Sequence, residues 1–177
     1  MNEPFFDMSL SVIGEKVYVR IQGSGVMNNG PSLSQLFVGL HEQGYGIFCF
    51  DLEHCSFMDS TFLGLLAKMA LNLHEERQEG MDSQLKLFKP SENILRSLKI
   101  LHVIPYMEIV TDPEPENPDY KPFENNPVTT SKQDLAETSL EAHKVLMNLN
   151  DENVTRFKDV VEFLEEDLER LKKSKSP

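Results

Sequence analysis

The stretch that most restricts how this chain can fold runs from Asp51 to Ala70, DLEHCSFMDSTFLGLLAKMA. Leading into it, Ile47-Phe48-Cys49-Phe50 is an unbroken apolar run, short and rich in aromatic and branched side chains, as expected of a strand covered on both faces. Past Phe57-Met58-Asp59-Ser60-Thr61, the residues Phe62, Leu63, Leu65, Leu66, Met69, Ala70 and Leu73 recur at helical spacing, so a helix over residues 60–78 starts directly after the polar turn. Asp, Ser and Thr cap helices because their side-chain oxygens accept hydrogen bonds from the first, otherwise unpaired, backbone amides. One of Asp59, Ser60 and Thr61 is therefore the expected N-cap. A hydroxyl at that place lies at the rim of a sheet beside the positive end of a helix dipole, where a phosphate is favoured.

The rest of the first 110 residues fits around this hinge. Residues 8–13 and 16–23 read as two strands about Gly14-Glu15, the second alternating Val17, Val19 and Ile21 with Tyr18, Arg20 and Gln22. A Gly- and Asn-rich loop, residues 23–31, leads to a helix with Ser32 as its candidate cap and Leu33, Leu36, Phe37 and Leu40 as its apolar stripe. Gln84–Phe88 is a short alternating strand, Ser91 restarts a helix that carries Ile94, Leu95 and Leu98, and Ile104–Val110 is a fifth strand candidate. Strands alternating with helices favour an α/β fold, a mixed β-sheet with helices on one face joined by right-handed crossovers.

From Thr111 the texture changes. Pro113, Pro115, Pro118, Pro122 and Pro127 among Asp, Glu and Asn read as an extended linker over residues 111–130. Beyond it Ser131 caps an expected helix to about Leu149, with Leu135, Ala142, Val145, Leu146 and Leu149 on one face. After Asn150, the residues Val154, Phe157, Val161, Leu164, Leu168 and Leu171 follow at steps of three and four, the seam of a coiled coil or helical hairpin over residues 131–173. So short a seam must pack on something: its neighbour helix, the sheet domain of residues 1–110, or a second copy of the chain.

Charge and cysteine content narrow the function classes. The 177 residues carry a formal net charge of -12, which argues against direct contact with nucleic acid or an anionic membrane. The tail is the more acidic part, with 9 basic against 16 acidic side chains beyond residue 110. No segment reaches the roughly 20 apolar residues of a membrane span, and Met1-Asn2-Glu3-Pro4 lacks a secretory opening, so a cytoplasmic location is expected. Cys49 reads as a small core hydrophobe and Cys55 as a turn residue open to solvent; two separate cysteines and few histidines predict neither disulfide nor metal site.

The run Asp51-Leu52, Ser56-Phe57-Met58-Asp59-Ser60-Thr61 and Leu63-Gly64-Leu65-Leu66 resembles the signature of the STAS domain family, and especially the bacterial anti-sigma-factor antagonists. The layout of residues 8–110 agrees with it, while Phe62 stands where the family often has Gly. The resemblance implies a STAS-like sheet domain, phosphorylation at Ser60, with Thr61 a weaker acceptor, and a partner-binding face of Asp59, Ser60, Thr61, Phe62, Ser24 and Met27. It further implies a protein partner, an anti-sigma factor that is also a serine kinase, together with a phosphatase, in transcription regulation by partner switching. No cofactor and no catalytic residue is expected. A homodimer through the C-terminal helices is a candidate assembly, and a scaffold role without phosphorylation is the alternative.

Other chemistries fit less well. Gly25 and Gly30 have the separation of the glycines in a phosphate-binding loop, but Pro31 occupies the place of its lysine. His54, Asp59 and Ser60 are an imidazole, a carboxylate and a hydroxyl close in sequence, yet no Gly-x-Ser-x-Gly elbow surrounds the serine. His41, His74, His102 and His143 are isolated and read as helix-surface or core-edge groups.

Overall fold

The computed structural model describes residues 5–111, 117–123 and 131–174. Strands β1 (Phe6–Ile13) and β2 (Lys16–Gly25) form an antiparallel hairpin about Gly14, whose φ of 59° suits a residue without Cβ. Helix α1 (Gly30–His41) follows a single 3-10 turn and starts two residues before Ser32; its N-cap, Asn29, makes no side-chain capping bond. Strand β3 (Ile47–Asp51) pairs in parallel with β2. The residues expected to form only a turn, Cys55–Met58, make a further short strand, β4, parallel to the end of β2. Helix α2 (Ser60–Gln78), strand β5 (Gln84–Phe88), helix α3 (Glu92–Ile100) and strand β6 (Glu108–Val110) complete the alternation. Within the proposed fifth strand, Ile104–Tyr106 is a 3-10 turn, so β6 is shorter than expected. Lys121–Pro122 adds strand β7 on the outer side of β1, giving a seven-stranded mixed sheet in the order β6-β5-β3-β2-β1-β7 with β4 beside β2.

The two faces of the sheet are covered differently. Val17, Val19, Ile21, Phe48, Phe50, Leu85 and Leu87 point to one side and share a buried cluster with Leu33, Leu36, Phe62, Leu66, Leu73, Ile94 and Leu98 of the helices. The alternate residues Tyr18, Cys49 and Phe88 form a smaller cluster on the opposite side with Ile13, Ile47, Val110 and Tyr120. Tyr18, which alternates with Val17 and Val19 along β2, is thus also buried, 1% exposed. Tyr120 of the proline-rich segment packs on this cluster and against Arg20, which pairs with Asp51 at 2.8 Å and stacks over the Tyr120 ring at 3.9 Å.

The tail forms two helices, α4 (Lys132–Leu149) and α5 (Asp151–Ser174). Ser131 caps α4, as the sequence predicts, and Asp134 bonds back to its amide to complete a reciprocal capping box. Phe157, Val161 and Leu168 are buried, whereas Val154 is 39% exposed because the buried position at the start of α5 is taken by Asn153. Its amide donates to the carbonyls of Leu146 and Leu101, tying the corner of the hairpin to the end of α3. Truncating it leaves these two buried carbonyls without their donor. Asn153→Ala is therefore expected to lower the unfolding free energy by about 1–3 kcal/mol, read from urea denaturation.

Candidate functional site

The site is built from the N-terminus of α2, the loop after β2, and one face of α4. Asp59 is the N-cap: extended at φ -79° and ψ 172°, it accepts the Phe62 amide on Oδ1 at 2.8 Å. Its Oδ2 accepts the Met27 amide, also at 2.8 Å, and its own amide donates to the Gly25 carbonyl. One carboxylate therefore caps the helix and pins the loop of residues 25–27 against it. Ser24 lies at the rim of this loop, with its hydroxyl 3.4 Å from that of Ser56.

Phe62 is fully buried, edge-on to Phe6 with centroids 6.0 Å apart. A Cβ built on Gly25 would stand 2.8 Å from the Phe62 ring. The two residues are complementary: the ring fills the space that any side chain on the loop would need. What Phe62 gives the site is support from below rather than surface. Gly25→Ala is expected to lower the unfolding free energy by about 1–3 kcal/mol through this overlap, measured as a shift in urea midpoint with unchanged slope.

Ser60, the first residue of α2, points at the tail. Its Oγ is 2.9 Å from Nε2 of His143, which is 4% exposed. The other ring nitrogen, Nδ1, is 2.7 Å from the Ser139 carbonyl. A carbonyl only accepts, so Nδ1 carries the hydrogen; in the neutral ring Nε2 is then the acceptor and the Ser60 hydroxyl donates to it. Thr61 is buried and shares a 2.9 Å hydrogen bond with the Ser139 hydroxyl. The Phe157 ring closes over the imidazole edge-on at 5.0 Å. One turn further along α2, a Cβ on Gly64 would lie 2.6 Å from the Ala142 carbonyl oxygen, so the two helix backbones meet there. Lys68 and Glu141 pair at 2.6 Å on the exposed rim.

The fold sets Met27 against Asp59, next to Ser60 and Thr61, whereas His143, read from the sequence as isolated, also joins them. In the fold it is a buried partner of Ser60, 83 residues away in sequence. The only trace of this in the chain is the i, i+4 spacing of Ser139 and His143 on the face that also carries Ala142 and Leu146. The trio of His54, Asp59 and Ser60 is not assembled: the Ser60 hydroxyl goes to His143, both Asp59 oxygens go to backbone amides, and His54 is an exposed loop residue.

Ser60 and His143 have the spacing of a nucleophile and its base. However, neither residue lines any of four well-formed cavities among the described residues, which range from about 170 to 700 Å³. No described group of three or more His, Cys, Asp or Glu side chains could hold a metal ion. Cys55, expected to be open to solvent, is 2% exposed because β4 folds it inward. Burial pushes its thiol above the ordinary value, opposed by hydrogen bonds with the backbone at Phe57 and Gly25, so it is a poor nucleophile at neutral pH.

Neither protein-family models nor curated protein sequences match this chain. Solved structures do. A candidate anti-sigma factor antagonist from Thermotoga maritima matches at a TM-score of 0.50 and 15% identity, over 58% of this chain and 85% of that one. Two structures of the anti-sigma factor antagonist SpoIIAA match at 0.48. The unphosphorylated form is 17% identical over 60% of this chain and 89% of that one. The phosphorylated form, from Bacillus, is 21% identical over 59% and 92%. The chain has a STAS-like α/β fold, with a C-terminal helical extension.

Proposed function

We propose that this chain is a protein-binding module switched by phosphorylation of Ser60, an anti-sigma factor antagonist in a partner-switching pathway. The observation that carries this reading is the position of the Ser60 hydroxyl on the first residue of α2, immediately after an Asp59 cap that fixes its backbone. The STAS-like fold, shared with proteins named as anti-sigma factor antagonists, supports it. The docking face is formed by Ser60 and Thr61, held by Asp59, Phe62 and the loop at Ser24 and Met27. Its partner is an anti-sigma factor acting as a serine kinase, and a phosphatase resets the switch. The role is binding, without catalysis or cofactor, and the net charge of -12 keeps the module off DNA. No described helix is long and apolar enough to cross a membrane.

A phosphate adds about -1.5 to -2 charges and three acceptor oxygens, which a packed interface cannot solvate, so docking is lost without refolding. Mass-spectrometric mapping of the protein from its native host is expected to find phosphate on Ser60. Its absence from both Ser60 and Thr61 in every growth state would overturn the reading. Ser60→Asp should weaken capture of the partner at least about tenfold, the loss of one charge-excluding contact, while Ser60→Ala binds normally and cannot be switched off. Equal capture by both variants also rejects the proposal. The scaffold alternative, in which Ser60 is never modified, is favoured by the hydrogen bond that already engages its hydroxyl within the same chain.

A further inference from the structure

The face proposed for docking is occupied. Helix α4 lays Ala136, Ser139, Ala142, His143 and Leu146, all buried, toward the rest of the chain. On α2 the matching positions are Ser60, Thr61 and Gly64. The contact has small residues where the backbones touch, Gly64 against Ala142, and hydrogen bonds at its centre, Ser60 to His143 and Thr61 to Ser139. Its outer edge is an exposed ion pair, Lys68 with Glu141. Around the hydrogen bonds Ala142 and Leu146 join the main buried core, so the contact sets an apolar floor beneath polar bonds that water can replace. Hydroxyls and an imidazole regain water when exposed, so each such bond adds little net to docking, and the exposed pair adds still less.

With α4 in place Ser60 is half-buried and its hydroxyl is engaged by the tail. An acceptor atom 2.9 Å from Oγ stands where the phosphoryl group would go. Nor can a second protein reach Thr61 or Gly64, which α4 covers.

We infer that α4 is an internal ligand of the Ser60 face, and that an external partner engages the face only by displacing it with a helix of the same kind. That helix carries a small residue over Gly64 and a side-chain acceptor for the Ser60 hydroxyl. The inference rests on the reading of this face as the docking site. The tether raises the local concentration of α4 to roughly millimolar, so a weak contact suffices to hold it. Release also breaks the bonds of Asn153 and Arg156 to the carbonyls of Leu101 and Ile100, which keeps the open form a minority. Phosphorylation then acts on the open form alone and, once made, blocks the return of α4.

Thiol labelling of the full chain tests this without kinase or partner. In Ser60→Cys the new thiol reports exposure of the face, and Cys49, 1% exposed in the sheet, reports global unfolding in the same molecule. With a maleimide under native conditions, position 60 is expected to label at least about tenfold slower than in the urea-unfolded chain and at least about tenfold faster than Cys49, the pattern of local opening. Adding Gly64→Ala, or independently Ala142→Leu, wedges the same helix contact from either side. Each should speed labelling at position 60 about tenfold or more, with the Cys49 rate unchanged. Labelling no faster than Cys49 makes α4 a fixed part of the fold and overturns the inference. So does labelling at the unfolded rate, which means the face is open, or a rate indifferent to both substitutions. These failures concern the tail alone, because whether Ser60 carries phosphate is decided separately by mapping.

Discussion

Phe62→Ala will lower the unfolding free energy by about 3–5 kcal/mol, the range for emptying a fully buried phenylalanine site. The ring has no exposed surface, packs edge-on against Phe6, and holds the loop at Gly25 from beneath. Urea denaturation should show the midpoint falling with little change in slope. The sharper test is the pair. Gly25→Ala alone overlaps the ring, but in the Phe62→Ala background its methyl enters the vacated space. The second substitution should then be neutral or stabilising, a coupling of at least about 1 kcal/mol between residues in contact. Simple additivity would show that the loop and the ring do not define one another.

Asp59→Ala is the second large effect, expected at about 2–3 kcal/mol. One carboxylate satisfies two amides, so its removal costs both a helix cap, about 0.5–2 kcal/mol, and a pinned loop amide left unpaired, about 1–3 kcal/mol. Asp59→Asn keeps one side-chain acceptor and should lose roughly half as much. Hydrogen exchange should localise the damage, with faster exchange at the amides of Met27 and Phe62 before any change in β3 or β5. Uniform acceleration across the sheet would place the role of Asp59 in global stability instead of at the site. Because Ser60 follows directly on this cap, the variant also tests whether the switch residue depends on a fixed helix start.

Local signals carried most of the sheet and the hinge. Asp59, Ser91 and Ser131 are each followed by a helical apolar period, and each proves to be a cap whose side chain accepts from the third helical amide. What escaped was non-local. Cys55–Met58 is four residues long with Ser56 in the middle, and only its pairing with the end of β2 makes it a strand. The small cluster around Tyr18 includes Tyr120, in a segment whose prolines read as linker. His143 escaped for the same reason. Helical periodicity says which residues share a face of α4 but not what that face meets, and the meeting with Ser60 is set by how the tail folds back. Val154 shows the converse, an apolar position on schedule that the corner at Asn153 turns outward.

The short strand β7 has a consequence for how copies of this chain can meet. Exposed sheet edges are templates on which a foreign strand can add, and β1 would be such an edge. Instead Ser9 and Leu10 face Pro122 and Lys121, and the Phe123 amide bonds the Met8 carbonyl. Pro122 has no amide hydrogen to offer a further strand, and Lys121 places charge beside it. At the far side β6 is three residues long and carries Glu108, which bonds Lys86 and Gln84. Both margins are blunt. Growth of the sheet from molecule to molecule, and the aggregation that follows from it, is thus disfavoured by a proline and a lysine that lie outside the β-α alternation altogether.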